Sequence, residues 1–251
     1  MARTTAVGVI PARYGSTRFP GKPLALLLRE PMIVHVVRRA QEAACFAAVV
    51  VATDDERIAR VAEQAGATVV VTGEAASGTD RVAQAARTLD AAVIVNVQGD
   101  EPALPPANLR TLVDFLLAHP EVPLATLALP AAPGDLDNPT VVKVVTDVSG
   151  KALYFSRSPI PYPRNPLPGI HRKHVGLYGF QREALLTFAS WPECDLERCE
   201  GLEQLRALHH GMPIHVLAAA GDSVAVDVPA DVPRAEAALV ALANLAPGPG
   251  Q

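Results

Sequence analysis

Hydrophobic and polar positions alternate between two patterns through residue 130. Ala6 to Ile10 is apolar apart from Gly8, as a strand buried on both faces requires. Pro31 then opens a helix whose apolar residues Ile33, Val36, Val37 and Ala40 recur at i, i+3, i+4 and i+7. Ala47 to Ala52 (AAVVVA) predicts the next strand, closed by Thr53-Asp54 with side chains suited to helix capping. Helical patterns over Asp55–Ala65, Thr79–Leu89 and Pro106–His119 alternate with strands at Thr68–Val71, Ala91–Val97 and Leu124–Leu129. Successive βα steps of this kind predict an α/β fold with a doubly wound, mostly parallel sheet and helices on both faces.

After residue 138 the rhythm changes. Val141–Thr146 and Ala152–Ser156 flank Ser149-Gly150 and predict a hairpin, and the proline-dense stretch from Pro159 to Pro168 is too aperiodic for a helix. His174–Phe180 is expected to be a strand, followed by helices at Arg182–Ala189 and Arg198–His209, a strand at Ile214–Leu217, and a final helix after Pro229. The PGPGQ tail is expected to fray. The organisation predicted is one domain over residues 1–251, with a β-rich insertion at about 139–180 whose chain returns to the main sheet.

Composition narrows the function classes. With 22 Lys+Arg against 26 Asp+Glu, the chain carries a net charge of −4 and lacks the basic surplus of a nucleic-acid binder. No apolar run approaches the ~18 residues that span a bilayer, and Met1 to Val9 shows no long apolar leader, so a soluble cytoplasmic protein is expected. Cys45, Cys194 and Cys199 form no Cys-x-x-Cys pair, which fits idle thiols in a reducing compartment; a cysteine nucleophile is the alternative.

In parallel sheets of this kind, ligands bind beyond the carboxyl ends of the strands. The loop after the first strand, PARYGSTRFPGKP at 11–23, carries Arg13, Arg18 and Lys22 among glycines and hydroxyls, which is chemistry for a polyphosphate. Its glycine spacing matches neither a Walker A loop nor a dinucleotide fingerprint, which disfavours an NAD-dependent oxidoreductase. A surface loop of solvated charges is the alternative, disfavoured by three basic residues among glycines at this end of the sheet. Asp100 and Glu101, at the end of the most hydrophobic strand, suit Mg²⁺ or a simple turn. Ser77 and Thr79 open a helix and serve either as caps or as donors to an anion or a nucleobase. Asp227 precedes Pro229 as a cap or turn residue would, and Asp231 reads as a helix cap.

The run VIPARYGSTRFPGKPL resembles the signature loop of the CMP-Kdo synthetases, the 3-deoxy-manno-octulosonate cytidylyltransferases within the sugar nucleotidyltransferases. The likeness continues in order through VVATDDERIA (50–59), SGTDR (77–81), VIVNVQGDEP (93–102), NPTVVKVV (138–145), ALYFSR (152–157), HVGLYGF (174–180), GLEQLR (201–206) and VDVPAD (226–231). It implies transfer of CMP from CTP to the anomeric hydroxyl of the sugar acid Kdo, giving pyrophosphate and CMP-Kdo for lipopolysaccharide synthesis, with Mg²⁺ as cofactor.

Carried over residue by residue, the resemblance implies catalytic roles for Arg13, Lys22 and Asp100. It implies nucleotide contacts from Ala12, Arg13, Ser16, Lys22, Ser77, Gly78, Thr79, Arg81 and Gln98. Asp100 and Asp227 become the metal ligands, with Glu101 a weaker one. The sugar acid would be met by Gln98, Arg157, His174, Tyr178, Glu203 and Gln204, a cation with many neutral donors and acceptors. Glu200, Glu203 and Gln204 are expected on one helical face opposite Leu202, Leu205 and Leu208, as a solvated face would also be. The insertion resembles the family's dimer arm, which implies a homodimer.

Two departures stand out: Leu28 occupies a turn position where glycine is common, and the segment from Pro163 to Lys173 is shorter than in some relatives. The same chemistry on 8-amino-Kdo or a nonulosonic acid, and a non-catalytic nucleotide-binding protein, remain as alternatives.

Overall fold

The computed structural model describes residues 5–165 and 167–245, and the PGPGQ tail lies outside them. From the amino terminus the elements are β1 (Ala6–Ala12), a short hairpin of β2 (Leu26–Leu27) and β3 (Glu30–Pro31), α1 (Met32–Glu42), β4 (Ala48–Thr53), α2 (Glu56–Gln64) and β5 (Thr68–Val71). Next come α3 (Gly78–Ala86), β6 (Val93–Asn96), α4 (Pro106–Ala118), β7 (Leu124–Pro130), β8 (Lys143–Thr146), β9 (Ala152–Ser156) and β10 (Arg172–Gln181). The chain closes with α5 (Arg182–Phe188), α6 (Asp195–Glu200), α7 (Leu205–His209), β11 (Ile214–Ala218) and α8 (Val232–Leu245).

Among the described residues the main sheet runs β11-β7-β10-β6-β1-β4-β5, with β8 joined to β10 and β9 joined to β8. The pairs β1–β4, β1–β6, β4–β5 and β7–β11 are parallel. Antiparallel pairing enters with β10, which runs against both β6 and β7, and with β8, which runs against β10 and β9. Adjacent strand residues serve opposite layers, as the pleat demands. Ile10, Val51 and Val95 pack with Ile33, Val36, Ile58 and Leu112 of α1, α2 and α4. Val9, Val50 and Ile94 pack with Val82, Leu185, Phe188 and Leu205 of α3, α5 and α7. Full burial of each large aliphatic side chain contributes about 1.5–3 kcal/mol.

Within the segment after β7, the buried ammonium of Lys143 donates to the carbonyls of Asn138, Val141 and Arg157 and so ties the approach to β8 to the end of β9. Its strand β10 is an interior member of the sheet, so the β-rich insertion and the main sheet share one hydrogen-bonded ladder.

Three local expectations are corrected. The helix expected over Arg198–His209 is two helices, because Gly201 caps α6 in the left-handed conformation (φ 62°). Glu200 therefore does not share a helical face with Glu203 and Gln204, which lie in the turn between α6 and α7. The cap of α2 is Asp55, which accepts from the amides of Arg57 (2.9 Å) and Ile58 (3.4 Å), leaving Asp54 free for another partner. Leu28 and Arg29 both take positive φ, 49° and 72°, in the two-residue turn between β2 and β3, so the turn keeps a glycine-favouring geometry without a glycine.

Candidate active site

The carboxyl ends of β1 and β6 open onto a cavity of about 230 Å³. Ala12, Arg13, Ser16, Lys22, Ser77, Gly78, Arg81, Gln98, Asp100 and Asp227 all line it, and so does Arg18. Four separate stretches of sequence reach one cleft; the loops after β1 and β6 meet because those strands are neighbours, and the segment at 227 joins them because the Val226 amide donates to the Asp100 carbonyl (2.9 Å). That backbone bond brings the 226–228 segment against the turn after β6.

Charge is paired inside the cleft. The Lys22 ammonium donates to Asp100 Oδ2 at 2.7 Å and lies 3.9 Å from Asp227 Oδ1. Arg18 donates to the same Asp227 oxygen at 3.0 Å. Two carboxylates thus converge on a single ammonium, as they would on one cation. Among the described residues no group of three or more His, Cys, Asp or Glu side chains is arranged around a metal position. Two hard carboxylates fit Mg²⁺, which keeps waters and takes further oxygens from phosphates. Asp231 accepts from the amides of Asp227 (2.9 Å) and Val228 (3.0 Å), bonds that hold its carboxyl below the usual range and fix the Asp227 backbone.

Glu101 does not line the cleft. Its Oε2 is enclosed without a hydrogen-bond partner, and burial, then the charge of Asp100, push its pKa up to about 7. The cysteines are free thiols that do not line the cleft either, and burial raises Cys45 to about 11.

The opening turn of α3 does two things at once. Ser77 caps the helix, its oxygen accepting from the Asp80 amide at 3.1 Å while Asp80 accepts from the Ser77 amide. Its hydroxyl also donates to Glu203 Oε1 at 2.8 Å, and the Thr79 hydroxyl donates to Glu203 Oε2 at 2.6 Å. Arg81 is buried, with its guanidinium held by Thr72 and by Asp54 Oδ2 (2.7 Å). The cation that reaches the cleft from α3 is therefore fixed by the ends of β4 and β5.

Thr79, Tyr178, Glu203 and Gln204 surround a smaller void behind this turn. Burial, the largest effect, raises the pKa values of Glu203 and Tyr178. Tyr178 pairs with Asn96 across β10 and β6, and its ring centroid lies 5.5 Å from that of His174. Thr126 gives its single hydroxyl proton to the Leu177 carbonyl (2.7 Å), so it accepts from His174 Nε2 (2.9 Å). Burial lowers the His174 pKa to about 3, leaving a neutral ring. Gln98 donates to the Gly176 carbonyl at 3.0 Å, which ties the cleft to β10.

Arg157 stands apart from this group. Its guanidinium donates to the carbonyls of Glu200 (2.7 Å), Pro139 (2.9 Å) and Gly201 (3.4 Å).

Asn96 and Asp54 line neither the cleft nor the void but bond to residues that do, Thr79 and Arg81, a role that sequence reasoning missed. Asn96 is buried and donates to Thr79 Oγ1 at 3.1 Å, while its own Oδ1 has no partner. A lone amide in the run AAVIVNV was the available signal.

The chain matches the cytidylyltransferase family model over residues 7–214. It is 51% identical over 236 residues to a 3-deoxy-manno-octulosonate cytidylyltransferase of Anaeromyxobacter sp., covering 93% of this chain and 96% of the relative. The enzyme of the same name from Myxococcus xanthus is 48% identical over 240 residues, covering 94% and 97%. Among solved structures, a CMP:2-keto-3-deoxy-manno-octonic acid synthetase complexed with CTP superposes with a TM-score of 0.90 at 40% identity, over 95% of this chain and 99% of that one. A cytidylyltransferase from Leptospira borgpetersenii shares the fold, with a TM-score of 0.60 at 18% identity over 90% and 83% of the two chains.

Proposed function

Because the chain belongs to the 3-deoxy-manno-octulosonate cytidylyltransferase family, we propose that its cleft joins CTP to Kdo, releasing pyrophosphate and yielding CMP-Kdo for lipopolysaccharide synthesis. The observation that carries this reading is the convergence of Lys22 and Arg18 with Asp100 and Asp227 in one cavity beyond β1 and β6.

The anomeric hydroxyl oxygen of the sugar forms a bond to the α-phosphorus as the bond to the β-phosphate oxygen breaks. Negative charge builds on the non-bridging oxygens and on the departing pyrophosphate. Arg13 and Lys22, at the mouth of β1, offset that charge. Ser77, Gly78, Arg81 and Gln98 line the nucleotide side of the cleft, with Arg81 held in place by Asp54. Glu203, Gln204 and Tyr178, which line the smaller void, are assigned to the sugar acid, with His174 behind the Tyr178 ring as its support.

Asp100 and Asp227 would hold Mg²⁺, which when bound adds Lewis-acid charge at the α-phosphate and acidifies the sugar hydroxyl. The inserted segment exposes Val148, Leu153, Tyr162, Leu167 and Ile170, apolar surface that supports a homodimer through this region. No helix among the described residues is long and apolar enough to cross a membrane, and a cytoplasmic location would give access to CTP.

A competition experiment tests the substrate. The protein is incubated with CTP, Mg²⁺ and equal amounts of Kdo, 8-amino-Kdo and a nonulosonic acid, and the nucleotide sugars formed are weighed by mass spectrometry. CMP-Kdo as the dominant product supports the reading. A different CMP-sugar as the dominant product moves the substrate, and sedimentation as a monomer removes the dimer.

A further inference from the structure

The cation-bearing loop between β1 and α1 presents Arg13, Ser16, Arg18 and Lys22 to the cleft, and such a loop needs something to fix its shape. Its two ends meet at Tyr14, whose carbonyl accepts from the amides of Ser16 and Gly21, each at 2.9 Å. The Tyr14 side chain takes no part in lining the cleft. Instead its ring lies against Gly21, where a Cβ would stand 3.0 Å from Cε2 and where φ is +71°. Glycine there answers both the backbone angle and the contact with the ring.

The ring has a second partner. The Arg57 guanidinium carbon sits 3.6 Å from the Tyr14 ring centroid, in cation–π contact. Arg57 is in the first turn of α2, where the helix dipole disfavours a cation. Asp55 offsets this and fixes the group, accepting from Arg57 Nε (3.0 Å) and Nη2 (2.6 Å) while its Oδ1 also caps the helix. A rigid helix start thus holds a planar cation over the aromatic node of a loop in another part of the chain.

We propose that Arg57, held by Asp55, is a positioning residue that braces the phosphate loop through Tyr14 and so presets Arg13 and Lys22 for the triphosphate. The inference rests on the reading of this loop as the CTP phosphate site. Arg57 touches neither substrate; it acts by lowering the ordering cost that CTP binding would otherwise meet.

The test compares Arg57→Ala, Arg57→Lys, Tyr14→Ala and Tyr14→Phe in the full-length protein. Arg57→Ala and Tyr14→Ala are expected to raise the KM for CTP roughly fivefold, the factor carried by one cation–π contact, with the KM for Kdo changed by less than about twofold. Their Tm values stay within about 2 °C of wild type, since the contact is at the surface. Tyr14→Phe keeps the ring and retains the wild-type KM, whereas Arg57→Lys recovers only part of it. Trypsin cleavage within the loop, at Arg13 or Arg18 and read without substrates, is expected to accelerate in Arg57→Ala.

A wild-type CTP KM in Arg57→Ala overturns the proposal. Should the wild-type protein itself fail to turn over CTP, the functional reading is at fault, and the trypsin comparison alone then decides the brace: unchanged cleavage overturns it.

Discussion

Replacing Lys22 with alanine separates a catalytic cation from a structural one. Its ion pair with Asp100 is short, 2.7 Å, but the two side chains keep 15% and 30% of their exposure. A pair so open to solvent contributes about 1 kcal/mol or less to folding. In the reaction the same ammonium faces charge that develops as the α-phosphorus is attacked, and loss of one such preorganised donor costs on the order of 10²–10³ in kcat. The alanine variant also leaves Asp100 and Asp227 facing a triphosphate without the ammonium they share, which deepens the loss. Urea denaturation gives the stability change, and pyrophosphate release at saturating CTP and Kdo gives kcat. The expected result is a large fall in kcat with a nearly unchanged urea midpoint. A kcat within about threefold of wild type would refute the placement of Lys22 at the transition state.

Three further outcomes follow from the geometry. Breaking the buried Glu197–Arg206 pair (2.6 and 2.8 Å) by Glu197→Gln should lower the unfolding free energy by about 3 kcal/mol in urea, because the buried Arg206 loses both charged hydrogen bonds and keeps, as an ion pair, only the longer contact with Glu203 (3.9 Å). Leu28→Asn with Arg29→Gly should raise stability by about 1 kcal/mol in the same assay, since both positions have positive φ and the Leu28 amide can keep its bond to Glu236. His174 has a folded pKa of about 3, below its usual 6.5, so the unfolded chain binds more protons between those values. Its stabilisation is therefore complete above pH 6.5 and falls as the pH drops, by roughly 2 kcal/mol at pH 5. A thermal melt series should show His174→Gln losing less stability than wild type over that interval.

The βα core was legible because its signal is local. Runs such as AVGVI and AVVVA can only be strands buried on both faces, and each is followed by helical periodicity. The cleft was legible for a related reason, since the loops beyond parallel strands must meet at one end of the sheet. The position of β10 was not, because the pairing partner of a strand is a long-range choice that its own residues do not record. The break between α6 and α7 carried a local signal in Gly201, overridden by the helical spacing of Leu202, Leu205 and Leu208. The Asp54–Arg81 pair was hidden by a shift of one position. Both aspartates of TDD suit a cap, and only the three-dimensional course of the chain assigns capping to Asp55 and the ion pair to Asp54. The brace through Tyr14 and Arg57 joins residues 43 apart, from two motifs that could be read only separately in sequence.

The central claim is that one cleft, with cations from the β1 loop and carboxylates at 100 and 227, activates CTP for attack by Kdo. Its most direct test is pyrophosphate release by the wild-type protein with CTP, Mg²⁺ and Kdo, each omitted in turn, alongside UTP in place of CTP and the Asp100→Ala and Asp227→Ala variants. Release that requires all three components, favours CTP, and collapses in both variants is the predicted result. Release that continues without the metal, or in either aspartate variant, would contradict it.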